Sequence, residues 1–119
     1  MSSNNVTEMK SKAFALRIIK LYRHLCDEHK EYVLSKQILK SGTSIGANVK
    51  EGVCGQSKAD FYAKFYIAYK EANETMYWLE LLHESGYFEG AAFESIYEDC
   101  KELIRLLAAI TKTQKYPRE

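Results

Sequence analysis

Proline occurs once in these 119 residues, at Pro117, so nothing along the body of the chain forbids long helices. Cysteine is scarce: Cys26, Cys54 and Cys100 are odd in number, far apart and without a CxxC pair. That usage argues against a disulfide framework or a thiolate metal site, and the three are expected to be reduced thiols filling space in a core. Long apolar runs are missing too. No segment approaches the run of about 18 to 20 apolar residues that a membrane span needs, and the opening MSSNNVTEMKSK has no apolar stretch to act as a signal peptide. The expectation is a cytoplasmic protein with no membrane partner. Net charge is only +1, which by itself does not advertise a nucleic-acid partner.

What is present is apolar material in quantity, at 46% of residues, enough for one domain over 1–119 with one core and too short a chain for two. Charge is unevenly spread. Residues 1–58 hold ten Lys/Arg against five Asp/Glu, and residues 59–119 hold seven against eleven, giving a basic half and an acidic half. Such asymmetry suits an anionic ligand on the basic side, or copies of the chain docking through complementary fields.

Strand signals are weak, and the apolar residues recur at the helical spacings of three and four. Helix one is expected over about 7–29, with Phe14, Ile18, Leu21 and Leu25 in one stripe. Helix two is expected over 34–53 on Leu34, Ile38, Gly42, Ile45 and Val49, with Gly52 and Gly55 supplying its stop. Ser57 with Asp60 resembles a capping box opening helix three, over 58–85 to Gly86, whose stripe is Phe61, Phe65, Ala68, Ala72, Thr75, Leu79 and Leu82. Helix four is expected over 91–114 with Phe93, Ile96, Cys100, Leu103, Leu107 and Ile110 inward. Four helices of about 30 to 40 Å joined by short loops predict an all-α, antiparallel up-down-up-down four-helix bundle.

The stretch ILKSGTSIGANVKEG, residues 38–52, poses the sharpest question of function. A phosphate-gripping loop needs GxxxxGK[ST] after a strand, whereas Gly46 is followed by Ala47 and Asn48 within a helical pattern. As helix, Ser41, Gly42, Gly46 and Ala47 form a surface of small residues that a neighbouring helix can approach closely. Gln37, Ser44, Asn48 and Glu51 line one flank, read as a buried polar network; Lys36, Lys40 and Lys50 lie on the outward side.

Helix three carries more apolar surface than a monomeric bundle requires. Tyr62, Tyr66, Tyr69 and Tyr77 form a second face beside its core stripe, and Ile67 and Trp78 lie on a third with Glu71 and Glu74. Tyr and Trp are favoured at interfaces, so Tyr62, Tyr66, Tyr69, Tyr77 and Trp78 are candidate subunit contacts. The alternative is that these rings cap the edges of the monomer core with hydroxyls in water. Glu51, Glu71 and Glu74 read as register-setting partners of Asn48, tyrosine and lysine rather than as acid–base catalysts. A di-iron bundle would need two Glu-x-x-His motifs, and Glu80 with His83 is a single copy. No catalytic residue, cofactor or metal is expected.

The string Q37-xx-K40-xxx-S44-I45-xx-N48-xx-E51-G52, the capping serine and the aromatic-rich helix from Phe61 through Glu74 to Gly86 together resemble a known family. It is that of the small four-helix proteins encoded within intervening sequences of bacterial 23S rRNA genes, with the accessory variability proteins of diversity-generating retroelements as more distant relatives. Lys40-Ser41-Gly42 departs from the family's more frequent Arg or Lys followed by Ala, and Val49 stands where Ile is usual. The resemblance covers nearly the whole chain. It implies a ring-like homopentamer, a non-enzymatic role, association with RNA or DNA and, in the retroelement branch, work with a reverse transcriptase. The residues offer Arg17, Lys20 and Arg23 on helix one with Lys36, Lys40 and Lys50 on helix two as candidate phosphate contacts. A merely solvated basic face, or a ring that serves as a protein-interaction scaffold without nucleic acid, remains the competing reading.

Overall fold

Four helices account for nearly all of residues 3–112, which the computed structural model describes: α1 Ser3–His29, α2 Leu34–Val53, α3 Lys58–Glu84 and α4 Gly90–Lys112. Among the described residues there is no strand. Each helix packs on its sequence neighbours and α1 closes the circuit against α4; among the described residues no helix packs on its diagonal. Ser11 and Ile18 face Gly46 and Gly42, Ser41 and Gly52 face Thr75 and Phe65, and Ala72 and His83 face Cys100 and Phe93.

The predicted stripes form one core. Phe14, Ile18, Leu21 and Leu25 from α1 meet Ile38, Ile45 and Val49, then Phe65, Ala68, Ala72, Leu79 and Leu82, and finally Phe93, Ile96, Cys100, Leu103 and Leu107. Leu34 and Phe61 are half-buried at its margins. Two differences sit at the helix ends. The α1 stripe continues in polar residues, since Ser11 and Thr7 are buried one and two turns before Phe14, and the helix starts at Ser3 rather than Thr7. On α4 the inward position of the last turn belongs to Thr111, whose hydroxyl donates to the Leu107 carbonyl at 2.9 Å, while Ile110 is half-buried. Gln114, the expected end of α4, lies outside the described residues.

Helix ends show which local signals operate. Ser57 Oγ accepts from Asp60 N at 3.1 Å as a capping serine should, and the Asp60 carboxylate reaches back to Gln56 N at 3.3 Å. At the other end of α3, Gly86 N bonds the His83 carbonyl and Tyr87 N the Leu82 carbonyl, with Gly86 at φ +87. This is the paired bonding of a Schellman stop. The expected glycine stop of α2 is different. Neither Gly52 nor Gly55 is left-handed, and Gly52 is buried inside the helix. A Cβ there would meet the Phe65 ring at 2.7 Å, so this glycine serves packing. The start of α2 is held by Glu31, whose carboxylate accepts from the backbone N–H groups of Val33, Leu34 and Ser35 at 2.7 to 3.1 Å.

The cysteines divide by depth. Cys100 fills core space as expected, Cys26 is half-buried, and Cys54 is exposed at the α2–α3 junction instead of buried. Burial, assisted by the charges of Asp99 and Glu80, pushes the Cys100 thiol up to about 12, and its Sγ donates to the Ala72 carbonyl. At pH 8 the native protein is expected to yield one rapidly reacting thiol to an aromatic disulfide reagent, absent in Cys54→Ser, with Cys100 reacting only in denaturant. Fast reaction of all three thiols in the native state would contradict this packing.

Candidate nucleic-acid interface

The six candidate cations fall into three settings. Arg17 lies on the α4 side of α1, where its Nη1 donates to Asp99 Oδ2 at 2.6 Å. Lys20 follows one turn on and is exposed. Lys50, at the other edge of the α1–α2 pair, bridges to Glu8 at 3.4 Å beside an open groove of about 600 Å³ floored by Ala15, Gly46 and Ala47. Arg23, Lys36 and Lys40 are exposed, and none of the three is ion-paired to a described residue. The α1–α2 side therefore presents cations, while Asp99 and Glu102 of α4 spend their charge on Arg17 and Lys10. Exposed pairs of this sort contribute little to stability, about 0 to 1 kcal/mol each.

The polar flank of α2 is not the buried network its spacing suggested. Ser44 Oγ donates to the Lys40 carbonyl at 2.6 Å and Asn48 Nδ2 to the Ser44 carbonyl at 2.9 Å, so both spend their side chains on their own helix. Glu51 is exposed and links α2 to α3 through Lys64 at 2.9 Å; Gln37 is exposed as well. Glu74 accepts from Trp78 Nε1 at 3.0 Å. Burial, then the nearby Glu74 charge, raises the Glu71 carboxyl above its ordinary value against the opposing pull of Lys40 and Lys70. The buried polar contact between the two helices is one turn away, where Thr75 Oγ1 and Ser41 Oγ lie 2.9 Å apart. The sequence marks Ser41 only as a small residue; its place beside Gly42 on the core side of α2 is the signal that points to this contact.

The aromatic face of α3 also splits. Tyr69 and Trp78 pack against the core of their own bundle, and Tyr62 is half-buried with its ring edge-on to Phe61 at 5.0 Å. Tyr66, Tyr77 and Ile67 remain as the exposed part, at 44%, 54% and 39%. Glu80 and His83, weighed above as half of a metal motif, have other occupations. Glu80 accepts from the Tyr97 hydroxyl at 2.9 Å, which raises the tyrosine's pKa, and His83 stacks on Phe93 at 3.9 Å.

One site was missed by the reading of the sequence. A cleft of about 510 Å³ runs between α1 and the α3–α4 connection, with Arg17, Lys20 and His24 on one wall and Tyr87, Phe88 and Glu89 on the other. The α1 wall was legible, because 17, 20 and 24 are spaced three and four apart and share a helical face. The opposite wall was not, since only the folded connection brings GYFEG back over α1.

No described helix is long and apolar enough to cross a membrane. No curated protein matches the chain. A solved structure from Bacteroides thetaiotaomicron VPI-5482, described as a protein with unknown function from the S23 ribosomal protein family, is similar to it at 54% identity and a TM-score of 0.91. The alignment covers 94% of this chain and 100% of that one. The family model for the 23S rRNA-intervening sequence protein matches residues 4–109, the span that contains the first three helical stripes, the fourth through Leu107 and the SIxxNxxEG block, and the chain belongs to that family.

Proposed function

We propose that this chain is a non-enzymatic, antiparallel up-down-up-down bundle that assembles into a ring-like homo-oligomer and associates with RNA or DNA through phosphate contacts. The observation that carries the reading is the set of exposed cations Lys20, Arg23, Lys36 and Lys40 on two adjacent helices, none of them ion-paired to a described residue. Such cations release counterions on meeting a polyanion, and several copies of a modest patch acting on one strand add their contacts. Tyr66, Tyr77 and Ile67 on α3 support assembly, since a helix exposing three large apolar side chains outside its core stripe has surface left to bury. A cytoplasmic location, which rests on the lack of long apolar runs, is a further part of the proposal; a homopentamer and kinship to retroelement accessory proteins, with a reverse transcriptase as partner, are the parts that rest on family resemblance. The same aromatic face supports the second reading, a scaffold that engages a protein and leaves nucleic acid alone.

Binding of labelled RNA and DNA strands at several salt concentrations decides between the two. The affinity should fall steeply with salt, and Lys36→Glu combined with Lys40→Glu should weaken it and flatten the salt slope by about one for each phosphate no longer neutralised. No binding at low salt, with a specific protein recovered in its place, would establish the scaffold. Sedimentation at low micromolar concentration should give a species several times the 13.7 kDa protomer, and a monomer would sink the ring.

A further inference from the structure

We propose that the cleft between α1 and the α3–α4 connection receives one unstacked nucleobase of a single strand, with its phosphate on the α1 rim; this rests on the nucleic-acid reading above. The cleft, at about 510 Å³, is in the range of small-molecule pockets and has room for a single nucleotide. Its floor is apolar, from the buried Leu21 and Ile96. Cations occupy one rim and half-buried aromatic rings the other, which is the division a nucleotide carries, a charged phosphate at one end and a flat π-face at the other.

The two walls are built to hold their positions. On α1, Asp99 holds Arg17 through Nη1 alone, and a guanidinium has further N–H donors for a second anion. Lys20 lies beside it, exposed and not ion-paired to any described residue. The opposite wall turns at both ends on left-handed glycines, Gly86 at φ +87 and Gly90 at φ +71, and is tethered at its start by the Tyr87 N to Leu82 carbonyl bond of 2.9 Å. A series of edge-on rings ties it to α1, His24 to His29 at 5.2 Å and His29 to Tyr87 at 5.6 Å. Phe88 is anchored in turn against Phe93, and His83 Nδ1 lies 3.1 Å from the Phe88 carbonyl. The cleft is thus already formed without a ligand, which favours entry of a base that need not order the loop first.

Glu89 adds a preference. A carboxylate on this rim accepts from an exocyclic amine and offers nothing to a keto oxygen, which favours the amine-bearing bases cytosine, adenine and guanine over uracil. The duplex is disfavoured because its bases are stacked and paired away from the wall.

The test uses the full chain and three labelled dodecamers in fluorescence anisotropy: a cytosine-rich single strand, the same strand in duplex, and a sugar–phosphate strand lacking bases. A titration with cytidine monophosphate, followed by the aromatic and imidazole signals of the protein, accompanies it. The single strand should bind about 10-fold more tightly than the base-free strand, and Tyr87→Leu should abolish that difference while leaving the base-free strand unchanged. Lys20→Glu, a change at an exposed position that leaves the fold intact, should weaken all strands and the mononucleotide alike. Equal binding of the base-bearing and base-free strands, or a difference that survives in a folded Tyr87→Leu protein, overturns the cleft while the phosphate reading stands. Tyr87-dependent mononucleotide binding with no affinity for any strand would support the cleft and overturn the polymer reading. Silence in every arm overturns both.

Discussion

Replacing Phe65 with alanine is expected to destabilise the protein by about 3 to 5 kcal/mol, among the largest effects of any single substitution on α3. The ring is fully buried and lies in stacked contact with Phe61, with centroids 4.2 Å apart. Across the interface it meets the bare backbone of Gly52, which has no side chain to swing into the space left behind. Nor can α2 itself settle inward easily, because the buried Ser41–Thr75 contact holds its spacing from α3 further along the same helix pair. A cavity that cannot collapse costs the dispersion energy of the missing ring in addition to the transfer term. Phe65→Leu, which retains most of the volume, should cost less than half as much. The check is denaturant unfolding at fixed protein concentration; an alanine variant within about 1 kcal/mol of the parent would mean that the helices close over the gap after all.

That pairing of Phe65 with Gly52 also marks where sequence reading reaches its limit. The 4, 4, 3, 4 spacing on α2 gave bounds that coincide with Leu34–Val53, because a regular apolar stripe is a property of one helix and needs no partner to be seen. The role of Gly52 was misread as a stop because its cause is a ring thirteen residues on, in another helix. The start of α2 was similarly obscure. A glutamate before a helix is ordinarily a dipole partner, and only the fold of residues 30–33, with Lys30 left-handed at φ +53, turns the Glu31 carboxylate onto three N–H groups. Thr7, Ser11 and Thr111 kept the helical period but were passed over as polar, although a hydroxyl that bonds a carbonyl of its own helix, as Thr111 does, can occupy an inward position without an unsatisfied group.

For the candidate site, legibility divided in the same manner. Residue types and faces on one helix were readable, and Lys36 and Lys40 are outward as their register required. Pairing across helices was not, since nothing local to Arg17 says that Asp99 will stand 2.6 Å away. The flank of Ser44 and Asn48 failed as a buried network for a related reason. Short polar side chains on a helix have carbonyls of their own helix within reach, and these two take them.

The glycines of α2 give the second large effect, and they separate two positions that the sequence treats alike. A Cβ at Gly42 would lie 2.8 Å from Ile18 Cγ1 and 2.9 Å from Cγ2, within a core where Ile18 is fully buried. Gly42→Ala gains about 0.8 to 1 kcal/mol of helix propensity but incurs an overpacking cost of about 1 to 3 kcal/mol, so net destabilisation is expected. Gly42→Leu must push α1 and α2 apart along their whole interface, and loss of the cooperative fold is the expected outcome. At Gly46 the nearest atom is the Ser11 carbonyl oxygen at 3.4 Å, an ordinary contact, and Gly46→Ala should be neutral or stabilise by up to about 1 kcal/mol. The clash at Gly42 has a specific cure. Ile18→Val keeps both offending atoms and should bring Gly42→Ala no relief, whereas Ile18→Ala removes both and should couple to it by about 0.5 to 3 kcal/mol in a double-mutant cycle. Additive costs for Gly42→Ala and Ile18→Ala would show that the approach of α1 to α2 is set by packing elsewhere along the two helices, and that Gly42 is not what allows it.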